Sequence, residues 1–219
     1  MKRKLVLYII LLLMVAGGGG IGYYYWYQGS HYVTTQDARV AGDIYRVMPR
    51  ISGKLTSLKV HEGDVVVADQ IVGQQDTTNL TTNLLENAVL RAPITGTVIK
   101  TLAKEGEVVS PGQAVAMVVD ENNLYISANV EETELGRLKL GQKVDITLDA
   151  YPGKQLTGHL SEIGQATNST FALLPSVNTS GNFTKVTQRI PIKVAIDNAA
   201  GIQLTPGLNA EIKVHVKGM

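Results

Sequence analysis

Two stretches of the sequence, residues 51–72 and 94–115, carry the same pattern at an offset of 43 residues, with no gap between matching positions. Each contains two short apolar runs with glycine at fixed places, which is typical of β-strands joined by tight turns. One copy is too short to bury its apolar face alone. We therefore expect the copies to pack on each other as two halves of one small β-sandwich, related by a pseudo-twofold axis. The matching positions are Ile51 and Ile94, Gly53 and Gly96, Glu62 and Glu105, Gly63 and Gly106, and Gln70 and Gln113.

The halves extend beyond the repeat itself, to residues 46–74 for the first half and residues 89–120 for the second. If the two halves share one core, Ile51 and Ile94 should occupy equivalent buried places in it. The sequence therefore predicts that the two halves fold and unfold as one unit.

Residues 121–217 follow a different pattern, with longer strands separated by turns. Apolar and polar residues alternate over 190–196 and 210–216, as expected of strands that bury one face. Residues 131–138 read as a short helix, whose acidic first turn suits the helix dipole. This spacing predicts a small closed or nearly closed β-barrel with one short helix. Pro191 is expected on an edge strand, because proline cannot donate to a ladder.

Motifs in both regions resemble the bacterial membrane fusion proteins, which are periplasmic adaptors, and within them the HlyD/EmrA-like branch. Residues 49–53 and 91–98 resemble the split biotinyl/lipoyl-like domain of that family. Residues 171–175 and 181–186 resemble a signature of the EmrA-like branch. The resemblance runs from about residue 32 to residue 216. It implies a mainly β fold with an N-terminal transmembrane helix, a lipoyl-like β-sandwich, and then an adaptor β-barrel.

The resemblance also implies a function. Adaptors of this family are non-enzymatic subunits of multidrug efflux or secretion systems, and they dock on an inner-membrane transporter. The expected partner is a transporter of the major facilitator type, or as second choice an ATP-driven exporter, and the expected state is a homo-oligomer. The alternative is a stand-alone envelope module that binds or scaffolds without a role in transport.

The stretch at residues 165–187 is long for a connection within a compact barrel, which is typical of functional or mobile loops. It carries large apolar side chains in otherwise polar surroundings. We interpret these as candidate contacts with the transporter or with a neighbouring subunit, and the alternative is a loop whose apolar residues pack onto its own barrel. The candidate residues are Phe171, Leu173, Leu174 and Phe183.

The N-terminal region predicts a membrane anchor. Residues 5–30 contain no charged residue, and residues 5–27 are long enough for a helix to cross a hydrocarbon core of roughly 30 Å. The basic residues 2–4 predict a cytoplasmic N-terminus, and the aromatic residues 23–27 suit the outer interface. The chain is thus expected in the bacterial cytoplasmic membrane, single-pass, with its body periplasmic or extracellular. A cleaved signal peptide is the alternative. Residues 28–45 form a polar lead-in.

Residues 75–88 separate the two halves, at the place where most relatives carry a long α-helical hairpin. Thirteen or fourteen residues rich in Asn and Thr cannot form two antiparallel helices of useful length. A loop or a single short helix capped by Asp76 or Thr77 is expected instead. The sequence therefore predicts no direct contact with an outer-membrane channel.

Several classes of site are excluded by composition and spacing. The net charge is +1, which suggests no nucleic-acid partner, and there is no cysteine for a thiolate metal site. The four histidines are isolated in sequence and lack metal-ligand spacing. The hairpin tip that carries the modified lysine in biotinyl and lipoyl carriers is split open here. We therefore expect no catalytic residues, no metal site and no cofactor.

Overall fold

The computed structural model describes residues 2–78, 80–171, 187–199 and 201–216, with the side chains of residues 2–10, 83 and 171 left undescribed. The chain divides into two compact units. We call Val40–Tyr125 with Leu204–Pro206 the sandwich unit, and Met1–Arg39, Ile126–Gln203 and Gly207–Met219 the barrel unit.

The described residues form one α-helix and fourteen β-strands. In chain order they are α1 (Lys2–His31), β1 (Tyr32–Ala41), β2 (Ile44–Val47), β3 (Gly53–Leu58), β4 (Val65–Val66), β5 (Ile71–Gln75), β6 (Val89–Arg91), β7 (Gly96–Thr101), β8 (Val108–Val109), β9 (Ala116–Val119), β10 (Tyr125–Glu131), β11 (Lys143–Leu148), β12 (Gln155–Ile163), β13 (Arg189–Asn198) and β14 (Asn209–His215). Four short 3-10 helices lie between them, at Thr82–Ala88, Glu121–Asn123, Glu132–Arg137 and Asn168–Phe171.

The sandwich unit consists of two four-stranded antiparallel sheets, in the orders β2-β9-β7-β4 and β6-β5-β3-β8. Each sheet takes two strands from the first half and two from the second. Neither half forms a sheet by itself, so the two halves are interleaved and not merely packed side by side. The predicted β-sandwich of two related halves is confirmed.

The relation between the halves extends to single hydrogen bonds at the repeated turns. The backbone N–H of Gly63 donates to the carbonyl of Val98 at 2.8 Å, and the N–H of Gly106 donates to the carbonyl of Leu55 at 2.7 Å. Both glycines have φ above +90°, a conformation that residues with a Cβ rarely adopt. In each turn the N–H points to a strand of the other half only because φ is positive, and this is why glycine recurs at this place.

The repeated glutamates act reciprocally. The backbone N–H of Thr101 donates to Glu62 Oε1 at 3.2 Å, and the N–H of Leu58 donates to Glu105 Oε1 at 2.8 Å. Each glutamate therefore binds the last strand residue of β7 or β3, which belongs to the opposite half. These four residues occupy matching positions of the repeat, and the bonds tie the halves together in both directions.

The sandwich core is built from small β-branched and aliphatic residues of both halves. Ile51 and Ile94, which the repeat placed in the core, are only half-buried, because they lie in the bends that precede β3 and β7. The fully buried positions lie further along the strands. They include Val47, Leu55, Val60, Val66 and Val72 from the first half and Leu90, Val98, Ala103, Val109 and Val115 from the second.

The described residues of the connector, 76–78 and 80–88, form no helical hairpin. The helix in the connector is a 3-10 helix of seven residues, Thr82–Ala88. It begins after Thr81, whose side chain makes no capping hydrogen bond, so the expectation of a cap at Asp76 or Thr77 is wrong. Asp76 instead closes a turn on Thr78, with the Thr78 N–H 2.9 Å from its Oδ1. Local side-chain bonding of this kind favours turns over helix starts.

The barrel unit is a closed six-stranded barrel in the order β1-β10-β13-β12-β11-β14. The predicted barrel is confirmed, and it is closed by β1, which the sequence had assigned to the lead-in. Pro191 lies on β13, between two neighbouring strands, so its predicted edge position is wrong. Its carbonyl accepts a hydrogen bond from the Gly164 N–H at 2.8 Å, just past the end of β12.

The helix α1 is continuous over 30 residues. Across the part of the chain that the structure describes, however, no helix combines the length and the apolar character needed to cross a membrane. The predicted span over residues 5–27 is therefore not confirmed.

Candidate interaction surfaces

The described residues hold no group of three or more His, Cys, Asp or Glu side chains that could bind a metal ion. Two histidines of the barrel strands each pair with an aspartate at 2.7 Å, His159 with Asp197 and His215 with Asp145. The two pairs are separate. Among the described residues, neither pair has a third His, Cys, Asp or Glu side chain beside it that could complete a metal site.

The candidate contact residues from the sequence lie largely outside the described part of the chain. Leu173, Leu174 and Phe183 are not described, and the side chain of Phe171 is not described either. The described chain enters this stretch through the 3-10 helix Asn168–Phe171 and resumes at Thr187, just before β13. The structure does describe the barrel surface next to residues 165–167, where this stretch begins.

That surface carries an apolar groove of about 530 Å³, between the 3-10 helix Glu132–Arg137 and the end of β12. Its aliphatic lining comes from Leu135, Leu140, Ile163 and Ile190. Leu140 lies in the turn before β11, is 60% exposed and forms part of the rim of the groove. Gln165 and Thr167 also line the groove, so it lies at the start of the stretch at residues 165–187.

A second cavity, of about 450 Å³, lies where α1 passes into β1, and we call it the junction cleft. Five charged side chains line it. The guanidinium of Arg189 pairs with Asp37 and that of Arg137 pairs with Glu134, while Glu131 completes the set. Since both arginines already have carboxylate partners, the described lining of the cleft has no surplus of positive charge for an anionic ligand.

The sandwich unit exposes apolar side chains at two equivalent edges. β4 and β8 are the outer strands of the two sheets and are only two residues long. Val65 on β4 is 72% exposed and Val108 on β8 is 69% exposed. Val65 and Val108 occupy matching positions of the repeat. The two sheets therefore carry similar exposed apolar edges, which are accessible to neighbouring molecules.

Two aspartates directly follow equivalent strands of the sandwich unit. Asp76 follows β5 and Asp120 follows β9. Hydrogen bonds from the Thr78 hydroxyl and backbone hold the pKa of Asp76 below its usual range. The backbone of Asn122 and the side chain of Asn123 do the same for the pKa of Asp120. Both carboxylates therefore cap the turns that directly follow β5 and β9.

Comparison with known proteins places both units in described families. The family model "RND MFP, barrel-sandwich hybrid domain" matches residues 43–121, which lie within the sandwich unit. The family model "AAEA-like beta-barrel domain" matches residues 123–215, which contain β10 to β14. Together the two models account for most of the chain after α1 and β1.

Curated relatives point the same way. The Bacillus subtilis protein "Putative efflux system component YhbJ" is 37% identical over 191 residues, covering 85% of this chain and 81% of that protein. The Acinetobacter baumannii "Colistin resistance protein EmrA" is 37% identical over 134 residues, covering 61% of this chain but 38% of that protein. This chain thus spans most of the Bacillus protein and well under half of the Acinetobacter one.

Among solved structures, that of the periplasmic adaptor protein EmrA superposes with a TM-score of 0.56 at 16% identity. The match covers 84% of this chain and 98% of that one. At this level of identity the likeness concerns the fold, and the fold shared is a sandwich followed by a barrel.

Proposed function

The chain belongs to the membrane fusion protein family of efflux adaptors, which is non-enzymatic, and from that premise we propose that it docks on a transporter of the cytoplasmic membrane and assists export across the envelope. The observation that carries the proposal is the succession of two family folds, an interleaved sandwich and a closed barrel, in one chain. Both offer apolar surface outside their cores, as expected of a protein that works through contacts.

For the transporter we propose the major facilitator type first and an ATP-driven exporter second. The preference rests on the EmrA-like signature at residues 171–175 and 181–186. The family model for the sandwich unit names a third transporter class, RND, in its description. Purification of the full chain in mild detergent, with the bound partner identified, decides among the three. Recovery without any transporter contradicts the proposal.

We place the two β units on the outer side of the cytoplasmic membrane. This position follows from the proposed partner and from the residues that resemble periplasmic adaptors. A reporter that is active only in the cytoplasm, fused to the C-terminus, should be silent in cells. An active reporter contradicts the placement.

For the contact itself we propose Phe171, Leu173, Leu174 and Phe183, together with the groove beside Leu140. An exposed leucine on the rim of an apolar groove provides the kind of centre that dominates interface energetics once it is buried, and the candidate residues belong to the stretch that begins at this groove. Deletion of residues 169–181 should lower export while the fold and the amount of protein at the membrane stay unchanged. Leu140→Ser, which changes only the groove rim, should also lower export. Unchanged export in both variants contradicts the assignment.

A homo-oligomer is part of the proposal. Equivalent apolar edges on opposite halves of one sandwich allow a heterologous contact, in which β4 of one copy meets β8 of the next. Because the natural chain has no cysteine, Val65→Cys and Val108→Cys can be combined in one chain or kept apart. Crosslinking between copies should need both cysteines. Equal crosslinking of Val65→Cys alone would indicate a symmetric contact instead.

One observation favours the alternative of a stand-alone envelope scaffold, namely the short connector without a hairpin. The two functions differ in what loss of the protein does. Deletion of the gene should sensitise cells to exported compounds if the chain is an adaptor. Envelope defects without any change in export would favour the scaffold.

A further inference from the structure

The helix α1 passes into the barrel without a linker. It ends at His31, and β1 begins at Tyr32. The last four carbonyls of an α-helix have no partner within the helix. Here the barrel supplies two donors for them. The Arg137 Nη2 donates to the carbonyl of Gly29 at 2.6 Å, and the backbone N–H of Val216 donates to the carbonyl of His31 at 2.9 Å.

Arg137 is itself held in place. Its Nη1 binds Glu134 Oε2, one turn earlier in the same 3-10 helix, and its Nη2 also lies 3.4 Å from the carbonyl of Tyr32. About two-thirds of each side chain in the Arg137–Glu134 pair is buried. A planar guanidinium can bind a carboxylate on one side and carbonyls on the other, and a positive charge at the carboxyl end of a helix is favourable.

The two attachments have different roles. The bond from Val216 to His31 continues the pairing of β1 with β14, in which Tyr32 lies opposite His215. It fixes where the chain enters the barrel. Arg137 binds the chain earlier, at Gly29 within the helix. This contact therefore acts on the direction in which α1 extends from the barrel.

We propose that Arg137 is a positioning residue that locks the direction of α1 relative to the barrel, so that the two move as one body. Any partner that binds or tilts α1 then turns the barrel with it. Because it concerns the geometry of the chain alone, this inference goes beyond the proposed function and can be tested without a transporter.

The test uses spin labels on the full chain in detergent. The natural chain has no cysteine, so Gly22→Cys on α1 and Lys154→Cys on the barrel give two unique sites. A Cβ at Gly22 meets no atom within 4 Å, and Lys154 is exposed in a turn. In the parent the distribution of label distances should be narrow. Arg137→Ala should at least double its width, and Arg137→Lys should broaden it less.

Arg189→Ala is the matched control, since Arg189 lines the same cleft but pairs with Asp37 within the barrel. It should leave the width unchanged. Melting temperatures are measured in parallel. A broad distribution in the parent overturns the proposal, and so does a lower melting temperature of Arg137→Ala without broadening. If Arg137→Ala does not fold, Glu134→Gln, which keeps the arginine but removes its ionic partner, must broaden the distribution.

Discussion

At the scale of single residues, Gln75 is a buried polar residue at a place where the second half has a valine. It is 1% exposed and ends β5, while its match in the repeat is the buried Val118. Its Nε2 donates to the carbonyl of Ile51 at 3.0 Å and lies 3.4 Å from that of Gly53 and 3.5 Å from that of Val109. Its Oε1 is buried without a hydrogen-bond partner among the described atoms.

This geometry predicts unequal responses to two substitutions of Gln75. Gln75→Val removes the unpaired oxygen but also leaves the Ile51 carbonyl without its donor, and each effect is worth about 1–3 kcal/mol. The two should nearly cancel, giving a change of less than about 1 kcal/mol. Gln75→Glu aims a carboxylate at carbonyl oxygens and should cost about 3–5 kcal/mol, as a buried uncompensated charge does. Urea unfolding of both variants checks this, and equal losses would contradict it.

At the scale of elements, the interleaved sheets predict that core substitutions in either half have the same consequence. Leu55 on β3 and Leu90 on β6 come from different halves and are buried in one cluster. Replacing either leucine by alanine should destabilise the sandwich unit by about 2–5 kcal/mol. Hydrogen exchange should then speed up over both halves together in each variant. Faster exchange confined to the mutated half would show that the halves unfold separately.

The two aspartate turns predict a pH response of the sandwich unit. Because hydrogen bonds lower the pKa of Asp76 and Asp120 in the folded state, both add stability above the pKa of the unfolded chain, near pH 4. This stability is lost as pH falls through the lower folded pKa. Asp120→Asn should flatten the decline of the unfolding midpoint below pH 4. Asn122→Ala serves as control, since it removes only the smallest of the hydrogen bonds to Asp120 and keeps the backbone donor of residue 122 and the side chain of Asn123, so most of the decline should remain. An unchanged pH profile of Asp120→Asn would contradict the cap.

The same elements show what the sequence could predict. The single sandwich made of two related halves followed from a repeat with glycine at the turns, because that pattern is local and occurs twice. The interleaving of the two halves in each sheet was not predicted, since strand order depends on pairing between distant residues. The role of β1 in the barrel was missed, since Tyr32 pairs with His215 near the other end of the chain and nothing local marks the partner. The capping of α1 by Arg137 was missed for the same reason. The half-burial of Ile51 and Ile94 shows that matching positions need not be core positions.

At the scale of the whole molecule, the connector limits what the protein can reach. The 3-10 helix Thr82–Ala88 has seven residues, and at roughly 2 Å per residue it is about 14 Å long. In relatives with a long helical hairpin, the tip of the hairpin is expected to contact an outer-membrane channel. A single short helix has neither the length of such a hairpin nor a tip. The function proposed here therefore concerns contacts close to the cytoplasmic membrane.

This limit predicts the outcome of crosslinking in cells. Photo-crosslinking side chains placed at Leu85 and Glu86, which are exposed on the connector, should capture no outer-membrane channel. The same side chain at Leu140, on the rim of the apolar groove, should capture the transporter or another copy of the chain, because a large exposed leucine beside a groove suits a buried contact. The Leu140 site serves as the positive control, since it shows that the label works in the assembled state. Capture of an outer-membrane channel from Leu85 would contradict this prediction, because the connector would then contact a partner that its own length does not reach.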